Sequence, residues 1–224
     1  MYSTIKKISS LIKNKKLFVF DFDGVIADSN NIKTEAFKEM FKAHGENVTK
    51  KVIDHHRNNA SIDRFQKFKF YYNNYLDQEI SDEEASVLGK KFSNIILNKI
   101  INCPEIEGST IFLEKLHNLG KLSAINSATP QEEINLIIKE RNLSKFFGKV
   151  NGSPSSKKEI LLSLMTEYKL KNKDLVFFGD DKNDKLAADS LNILFIGVGK
   201  KLNKKFIDNK LPSYFIENFV DLNL

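Results

Sequence analysis

Short, continuous runs of apolar residues recur along the chain and predict the strands of a buried sheet. The first run is Leu17–Phe20, and further runs occupy residues 122–125, 175–178 and 193–196, with a weaker one at 149–151. In the stronger runs most positions are apolar, rather than every second one. Such runs are typical of strands that are covered on both faces, as in a parallel sheet.

Between the strands the apolar positions follow the spacing of helices instead. Helices are predicted at residues 111–119, at 156–168, at a short stretch after Asp181, and from Pro130 to about Arg141. The last of these has Thr129 as its expected N-cap and Glu132 three residues after the cap. The alternation of strand and helix from residue 105 onward predicts an α/β fold with a parallel sheet.

Residues 30–103 break this alternation, because they contain no convincing strand. Residues 34–44 have an amphipathic helical pattern, and Ser81 with Glu84 forms a capping box for a helix that ends near Ile100. The predicted helix at 62–76 places four large side chains on one face: Phe65, Phe68, Tyr72 and Leu76. We therefore expect a core domain made of residues 1–29 and 104–224, and an inserted helical domain made of residues 30–103.

The composition fits a globular protein of this organisation. The chain has 224 residues, of which 41% are hydrophobic and 29% charged. Cys103 is the single cysteine, so no intrachain disulfide forms, and a reducing, cytoplasmic compartment is expected. No segment has the roughly 18–20 apolar residues of a membrane span, and the lysine-rich start of the chain does not resemble a secretory signal.

The net charge of +6 and the pI of about 9.1 suggest an anionic partner. Nucleic acid is one candidate, but the lysines are spread along the chain and no nucleic-acid motif is present. A positive field would equally capture a phosphorylated small molecule. We therefore expect a small phosphorylated metabolite as the partner, without nucleic acid or membrane, whereas the oligomeric state does not follow from the sequence.

Two clusters of aspartates follow two of the predicted strands. Asp21 and Asp23 come directly after the first strand, and Asp180, Asp181 and Asp184 come after the strand at 175–178. Carboxylates gathered at the carboxyl edge of a sheet need a cation to neutralise them, and hard oxygen ligands favour Mg²⁺. A simpler alternative stays open for Asp180 and Asp181, since an acidic residue after a strand is often only a helix N-cap.

Two further elements complete a candidate phosphate site. Ser127 and the backbone N–H of Ala128 lie between a predicted strand and a predicted helix, where anions bind readily. Lys157 follows the next predicted strand, at the start of the helix predicted at residues 156–168, where it could neutralise carboxylate and phosphate charge. Its neighbour Lys158 is a competing candidate for that position.

The order of these four elements resembles the four motifs of the haloacid-dehalogenase superfamily. The similarity extends from residue 17 to about 197, with specific first and last motifs and weaker middle ones. The insert resembles the small helical cap of the subgroup that contains phosphoglycolate phosphatase and β-phosphoglucomutase. The resemblance implies a Rossmann-like core with an inserted α-helical cap, and Mg²⁺-dependent hydrolysis of a small phosphate monoester, such as a sugar phosphate.

The resemblance also implies the residue roles. Asp21 would attack phosphorus, and Asp23 would act as general acid and then as general base. The metal ligands would be Asp21, Asp180 and the backbone carbonyl of Asp23, with Asp184, or Asp181 as well, holding a metal-bound water. The transferring phosphoryl group would be held by Ser127, Ala128 and Lys157.

Two other functions remain open at this point. A β-phosphoglucomutase-like mutase shares the whole core, but such proteins have a cap histidine ten residues after the second aspartate, where this chain has Lys33. A protein that only binds a phosphorylated ligand would have lost a catalytic group, whereas every motif residue is present here. Dehalogenases lack the second aspartate of the first motif, so Asp23 and the acidic fourth motif argue against that chemistry here.

Substrate specificity is expected to reside in the cap. The candidate side chains are Lys33, Arg57, Ser61, Arg64 and Lys67. Since Arg64 and Lys67 are three residues apart, they share one helix face, which could equally be a solvated basic face. For the adjacent histidines, His55 and His56, loop or surface positions are expected.

Overall fold

The computed structural model describes residues 2–59, 62–199 and 214–224. The strands in these residues are β1 (Leu17–Phe20), β2 (Leu122–Pro130), β3 (Lys149–Ser153), β4 (Leu175–Gly179), β5 (Leu194–Val198) and β6 (Phe215–Ile216). The α helices are α1 (Tyr2–Ile12), α2 (Asn30–Phe41), α3 (Glu46–Asn58), α4 (Arg64–Leu76), α5 (Asp82–Asn102), α6 (Ser109–Asn118), α7 (Gln131–Glu140), α8 (Lys157–Glu167) and α9 (Lys182–Ser190). None of the helices in these described ranges combines the length and the apolar character needed to cross a bilayer.

The strands form one six-stranded sheet in the order β3-β2-β1-β4-β5-β6, and all pairs are parallel. Strand β1 lies between β2 and β4, with Leu17 opposite Leu122 on one side and Leu175 on the other. The chain moves outward from β1 to β3 and then returns to the other side of β1 with β4. In a doubly wound sheet of this order, the carboxyl ends of the strands at that reversal form the usual binding crevice.

Alternate residues of β1 are buried in two separate cores. Phe18 and Phe20 belong to the core on the face covered by α1, α6 and α7, where the Phe20 ring stacks on Phe178 with ring centroids 5.0 Å apart. Leu17 and Val19 belong to the core on the opposite face, beneath α8 and α9. Burial on both faces explains why the strand is apolar throughout, and each buried Phe contributes about 1.5–3 kcal/mol.

Helices α2 to α5 form a helical cap between β1 and α6. Its core consists of buried aromatic side chains: Phe37, Phe41, Phe68, Tyr71 and Phe92. The predicted capping box at Ser81 and Glu84 is present at the start of α5. Helix α3 was not predicted, because Val52 is its one fully buried apolar residue and the rest of its sequence is mainly polar.

The predicted fold class is confirmed, with a parallel α/β core and a helical cap. All five predicted strands are present, although the fourth runs one residue further than predicted, to Gly179, and the fifth begins one residue later, at Leu194. The prediction that Thr129 caps the helix of residues 130–141 was wrong, because β2 continues to Pro130 and α7 begins at Gln131. The Thr129 hydroxyl instead donates a hydrogen bond to Asp23.

Candidate active site

A cavity lies between the carboxyl ends of the central strands and the helical cap. Its core half is lined by Asp21, Asp23, Ala128 and Asp180. Its cap half is lined by Asn30, Lys33, Phe37, His56, Ile62, Arg64, Lys67 and Phe92. The cavity therefore joins the end of β1 to side chains from α2, α3, α4 and α5.

The turn after β1 is fixed by close packing. The Asp21 carboxylate accepts a 2.7 Å hydrogen bond from the backbone N–H of Phe22. Gly24 has a φ of 76°, and a Cβ there would lie 2.4 Å from a carboxylate oxygen of Asp180 and 2.3 Å from the Asn30 side-chain nitrogen. Only glycine is accommodated at this position, because both the backbone angle and the space exclude a side chain.

Asp21, Asp180 and Asp184 converge from the ends of β1 and β4. Each offers one carboxylate oxygen, and these three atoms lie within 4.8 Å of one another in a buried site. Burial, together with the charges of Asp21, Asp181 and Asp180, raises the pKa of Asp184 well above its usual value, although Lys157 acts in the opposite direction. Crowded buried carboxylates of this kind fit a hard divalent cation such as Mg²⁺, which would relieve their repulsion.

Asp181 has a different place from its neighbours. Its side chain accepts a hydrogen bond from the backbone N–H of Asn183, and its own N–H donates to Asp184, so the two aspartates form a capping box at the start of α9. The simpler alternative considered for this residue, a helix N-cap, therefore describes its position. Asp180 is instead held by Asn30, which donates a 2.6 Å hydrogen bond across from the cap.

Lys157 links the aspartates to β2. Its Nζ lies 2.8 Å from Asp21 and 3.0 Å from Asp184, and donates a 2.6 Å hydrogen bond to the backbone carbonyl of Asn126. Burial alone would lower the pKa of Lys157, but Asp184 and Asp21 raise it above its usual value, so the side chain stays charged. The competing candidate, Lys158, is exposed.

Asp23 accepts hydrogen bonds from three side chains. Ser29 donates to one carboxylate oxygen at 2.5 Å, while Lys33 and Thr129 donate to the other at 2.5 and 3.1 Å. Burial would raise the pKa of Asp23, but Lys33 and these hydrogen bonds lower it below its usual value. Lys33 also donates to Thr129 at 2.9 Å, so one cap lysine contacts two core side chains.

Ser127 and Ala128 lie in the irregular end of β2, and both line a second pocket together with Lys157. The Ser127 side chain is buried, and its oxygen accepts a hydrogen bond from the backbone N–H of Thr129 at 3.1 Å. Ala128 lines the cavity. The strand register between β2 and β3 shifts between Asn126 and Pro130, which bends this segment into the site.

The cap side chains occupy three kinds of position. Arg64 forms a bidentate ion pair with Glu133 of α7, at 2.5 and 3.0 Å, and donates to Ser93 at 2.7 Å. Lys67 is buried against the cavity, with its Nζ 3.2 Å from His56 Nδ1. Arg57 is exposed on the last turn of α3 and does not line this cavity.

The structure thus brings most of the candidate residues from the four motifs to one edge of the sheet. Lys33, Arg64 and Lys67 join them from the cap, whereas Arg57 does not, and Ser61 lies outside the described residues. Arg64 and Lys67 are buried, so the alternative of a solvated basic face is wrong. The expectation of loop or surface positions for the histidines is wrong for His56, which is buried on α3.

Several residues of the site were not found from the sequence. They are Ser29, Asn30, His56, Thr129 and Glu133. Ser29 and Asn30 follow the first motif directly, which was a local signal for both. Thr129 and Glu133 instead contact residues that are 106 and 69 positions away in the chain, so no local pattern indicates them.

Comparisons with known proteins agree with this geometry. A family model described as haloacid dehalogenase-like hydrolase matches residues 18–198. The phosphoglycolate phosphatase of Photorhabdus laumondii is 25% identical over 223 residues, which cover 96% of this chain and 93% of that protein.

Solved structures show the same fold at lower identity. The β-phosphoglucomutase of Clostridium difficile superimposes with a TM-score of 0.74 at 18% identity, covering 94% of each chain. A predicted phosphoglycolate phosphatase from Haemophilus somnus 129pt has a TM-score of 0.70 at 17% identity, covering 93% of this chain and 96% of that one. Since the family model spans most of the sequence and the fold agrees, the chain belongs to the haloacid dehalogenase-like hydrolase family and is a hydrolase.

Proposed function

We propose that this protein is a Mg²⁺-dependent phosphatase that hydrolyses a small phosphate monoester through an aspartyl phosphate on Asp21. The observation that carries the proposal is the convergence of Asp21, Asp180 and Asp184 within 4.8 Å, beside Lys157 and at the floor of a capped cavity. Carboxylates and a lysine around one nucleophile suit phosphoryl transfer, where catalysis is mainly positioning and electrostatics.

The carboxylates of Asp21 and Asp180, with the backbone carbonyl of Asp23, would hold Mg²⁺, and Asp184 would hold a water bound to it. The ion, when bound, neutralises charge on the phosphoryl oxygens and on the nucleophile. The chain itself supplies the other charge compensation. Lys157 contacts Asp21 and Asp184 and would bind a phosphoryl oxygen, together with the Ser127 hydroxyl and the Ala128 N–H.

The reaction would proceed in two balanced steps. In the first, an Asp21 oxygen forms a bond to phosphorus and the ester P–O bond breaks. Asp23, which is ionised without substrate, would take up a proton when the negative charge of the bound phosphate raises its pKa, and would give that proton to the leaving oxygen. In the second, Asp23 takes a proton from water, the water oxygen bonds to phosphorus, and the bond between phosphorus and Asp21 breaks. The hydrogen bonds from Ser29, Lys33 and Thr129 hold the Asp23 carboxylate in place for both transfers.

The helical cap would restrict the substrate to a small molecule. We propose that residues 30–103 form a separate domain that opens to admit the phosphate ester and closes to exclude bulk water. Three cap side chains contact core carboxylates in the closed arrangement described here: Asn30, Lys33 and Arg64. The name of the Photorhabdus laumondii relative, a phosphoglycolate phosphatase, supports a small phosphorylated acid as substrate.

The test is phosphate release from a panel of phosphorylated sugars and small acids, with Mg²⁺ and then with excess EDTA. The proposal expects release that needs the metal and differs strongly among the substrates. Release that is unaffected by EDTA would contradict it. Interconversion of sugar phosphate isomers without net phosphate release would identify a mutase, and binding without either reaction would identify a binding protein.

A further inference from the structure

A group of lysines lies at the amino ends of the strands, on the edge of the sheet opposite the active site. It belongs to three segments that lead into β1, β2 and β4, namely residues 11–16, 119–122 and 169–174, which we call the basal patch. Since the strands are parallel, these segments meet at one edge, while the site aspartates follow the strands at the other. The lysines of the patch are Lys13, Lys15, Lys16, Lys121, Lys169, Lys171 and Lys173.

Hydrogen bonds between the lysines hold the three segments together. Lys121 Nζ donates to the backbone carbonyls of Lys13 and Lys15, at 3.0 and 2.9 Å. Lys15 Nζ donates in turn to the backbone carbonyl of Lys173, at 2.6 Å. Because a carbonyl oxygen has only a partial charge, these contacts gather the lysines without pairing them with a carboxylate.

The basal patch contains one acidic residue, Asp174, whose carboxylate lies 3.3 Å from Lys16 Nζ. Of the 35 basic and 29 acidic residues of the chain, the patch contains seven lysines and this aspartate. Its excess of positive charge therefore equals the net charge of +6 of the whole chain, and the rest of the sequence is neutral in sum. Lysines that are spread along the sequence are thus brought to one edge by the fold.

Exposed leucines lie among these lysines. Leu119 is 57% exposed, and Leu11 and Leu122 are each 37% exposed. The backbone N–H of Leu122 donates to the carbonyl of Lys16 at 3.1 Å, so this leucine is next to the lysine segment before β1. The three described segments contain neither arginine nor an aromatic residue, the side chains that commonly read or stack on nucleotide bases.

We propose that the basal patch docks on an anionic lipid surface, with its lysines at the headgroups and its leucines at the boundary with the acyl chains. Clustered lysines are attracted to an anionic leaflet, and exposed aliphatic side chains add apolar burial that a nucleic-acid backbone does not offer. Such contact needs no membrane-spanning segment and goes beyond the expectation of no membrane partner. Docking on this edge would leave the cavity, at the opposite edge, accessible to a small molecule from solution.

The test is co-sedimentation of the full chain with vesicles of phosphatidylcholine, with and without about 30% phosphatidylserine. At about 0.1 M salt, the wild-type protein is expected to bind the anionic vesicles about tenfold or more tightly than the neutral ones. Most of this preference should be lost at about 1 M salt, where the Debye length falls from about 10 Å to about 3 Å.

A charge variant tests the lysines of the patch. Four exposed lysines are replaced together by glutamine: Lys13, Lys169, Lys171 and Lys173. The Nζ contacts of Lys15 and Lys121 are retained, and binding to the anionic vesicles should weaken about tenfold or more. The matched control has the same net charge and should bind like the wild type, because it replaces four exposed lysines of the cap: Lys42, Lys50, Lys90 and Lys91.

A second variant tests the apolar contribution. Leu119→Ser should weaken binding to the anionic vesicles about threefold or more, because it removes an aliphatic side chain from the contact. Ile111→Ser is its control, since Ile111 is 59% exposed near the other end of the same helix, α6. Circular dichroism verifies the folding of every variant, and all of them should retain the activity of the wild type.

Several results would overturn the inference. Equal binding to anionic and neutral vesicles would do so, as would equal losses in the charge variant and its control. Unchanged binding of Leu119→Ser to the anionic vesicles would do so as well, because charge alone does not distinguish a lipid surface from another polyanion. Tighter binding of the wild type to polyuridylic acid than to the anionic vesicles would identify nucleic acid as the partner instead.

Discussion

The core half and the cap half of the cavity are built in different ways. The core side chains follow directly from strand ends, so Asp21 and Asp180 are positioned by β1 and β4, which pair with each other in the centre of the sheet. The cap side chains project from helix faces instead, as Arg64 and Lys67 do from α4. The sheet holds the core carboxylates rigidly. The side chains on the cap helices can be substituted without disturbing the sheet.

This difference predicts two kinds of variant. Substitutions in the core half should abolish turnover of every substrate, because they alter the groups that would contact the phosphoryl group or neutralise its charge. Changes in the cap half should alter the stability of the closed cap or the preference among substrates, and leave the chemistry of Asp21 in place. A cap variant that lost turnover of every substrate, or a core variant that changed only the preference among substrates, would contradict this division.

The largest effect is expected at Lys157. Replacing Lys157 with methionine leaves Asp21 and Asp184 without their buried cation, so kcat should fall about a thousandfold or more for all substrates. The free energy of unfolding should also fall by roughly 3–5 kcal/mol, because a buried ion pair is broken on one side. Steady-state kinetics and urea denaturation measure the two effects.

Lys158→Met is the matched control for that experiment, since Lys158 is the exposed neighbour. It should be close to wild type in both measurements. Equal losses of kcat and of unfolding free energy in the two variants would show that Lys157 does not act on Asp21 and Asp184 as described.

The next effect is expected at the ion pair between cap and core. Glu133→Gln leaves Arg64 buried without its carboxylate partner, and should lower the free energy of unfolding by about 3 kcal/mol. Because the pair joins α4 to α7, KM should rise more than kcat falls. The neighbouring exposed residue supplies the control Glu132→Gln, and equal stability of the two variants would contradict the role of the pair.

The pH dependence of stability is expected to change at Lys67. Its pKa is about 7 in the folded state, against a usual value of 10.5, so the folded protein loses the proton at lower pH than the unfolded chain does. Between those two values the unfolded state binds more protons, and the free energy of unfolding contributed by this side chain rises with pH. Below about pH 7 both states are protonated, and the full cost of burying the charge is present.

Lys67→Met removes this pH-dependent contribution to the free energy of unfolding. The variant should therefore be more stable than wild type at about pH 6, by about 2 kcal/mol, and the advantage should shrink towards about pH 9. The ionisable groups around Lys67 are His56, Lys33, Arg64, Asp63 and Asp181, all of which are unchanged in the variant. If the free energies of unfolding of the variant and the wild type differed by the same amount at every pH in this range, burying the charge of Lys67 would have no such cost.

The smallest effect is expected at Thr129, which lies between the two halves. Thr129→Val removes one hydrogen bond to Asp23 and one acceptor for Lys33, so kcat should fall about tenfold. Thr166→Val, at an exposed threonine on α8, is the control for the substitution itself. An unchanged kcat in Thr129→Val would show that Asp23 is positioned by its other partners alone.

Most of the core half of the cavity could be predicted from the sequence. The apolar strands and the aspartates after them are contiguous signals, so the sheet and its carboxyl edge could be inferred from neighbouring residues. Asp181 shows the limit of that reasoning. Its position as the N-cap of α9 and its place within an acidic cluster give the same local pattern, and only the hydrogen bond from Asn183 separates them.

The cap half could be predicted only in part. The pairing of Arg64 with Glu133 joins positions 69 residues apart, and no local pattern encodes it. His56 was assigned to a loop or surface because α3 has too few apolar residues for a clear helical period. Thr129 was mistaken for a helix cap because a threonine before a proline is typical of that position, whereas its hydroxyl contacts a carboxylate from β1's turn.

The role of Asp21 is tested most directly by measuring whether it becomes phosphorylated during the first turnover. Wild-type protein and Asp21→Asn are mixed with Mg²⁺ and the best substrate, quenched in acid within the first turnover, and analysed by peptide mass spectrometry while phosphate release is followed in parallel. We expect phosphorylation on Asp21 in the wild type, and neither phosphorylation nor phosphate release in a folded Asp21→Asn protein. Appreciable phosphate release by that variant would show that Asp21 is not the nucleophile.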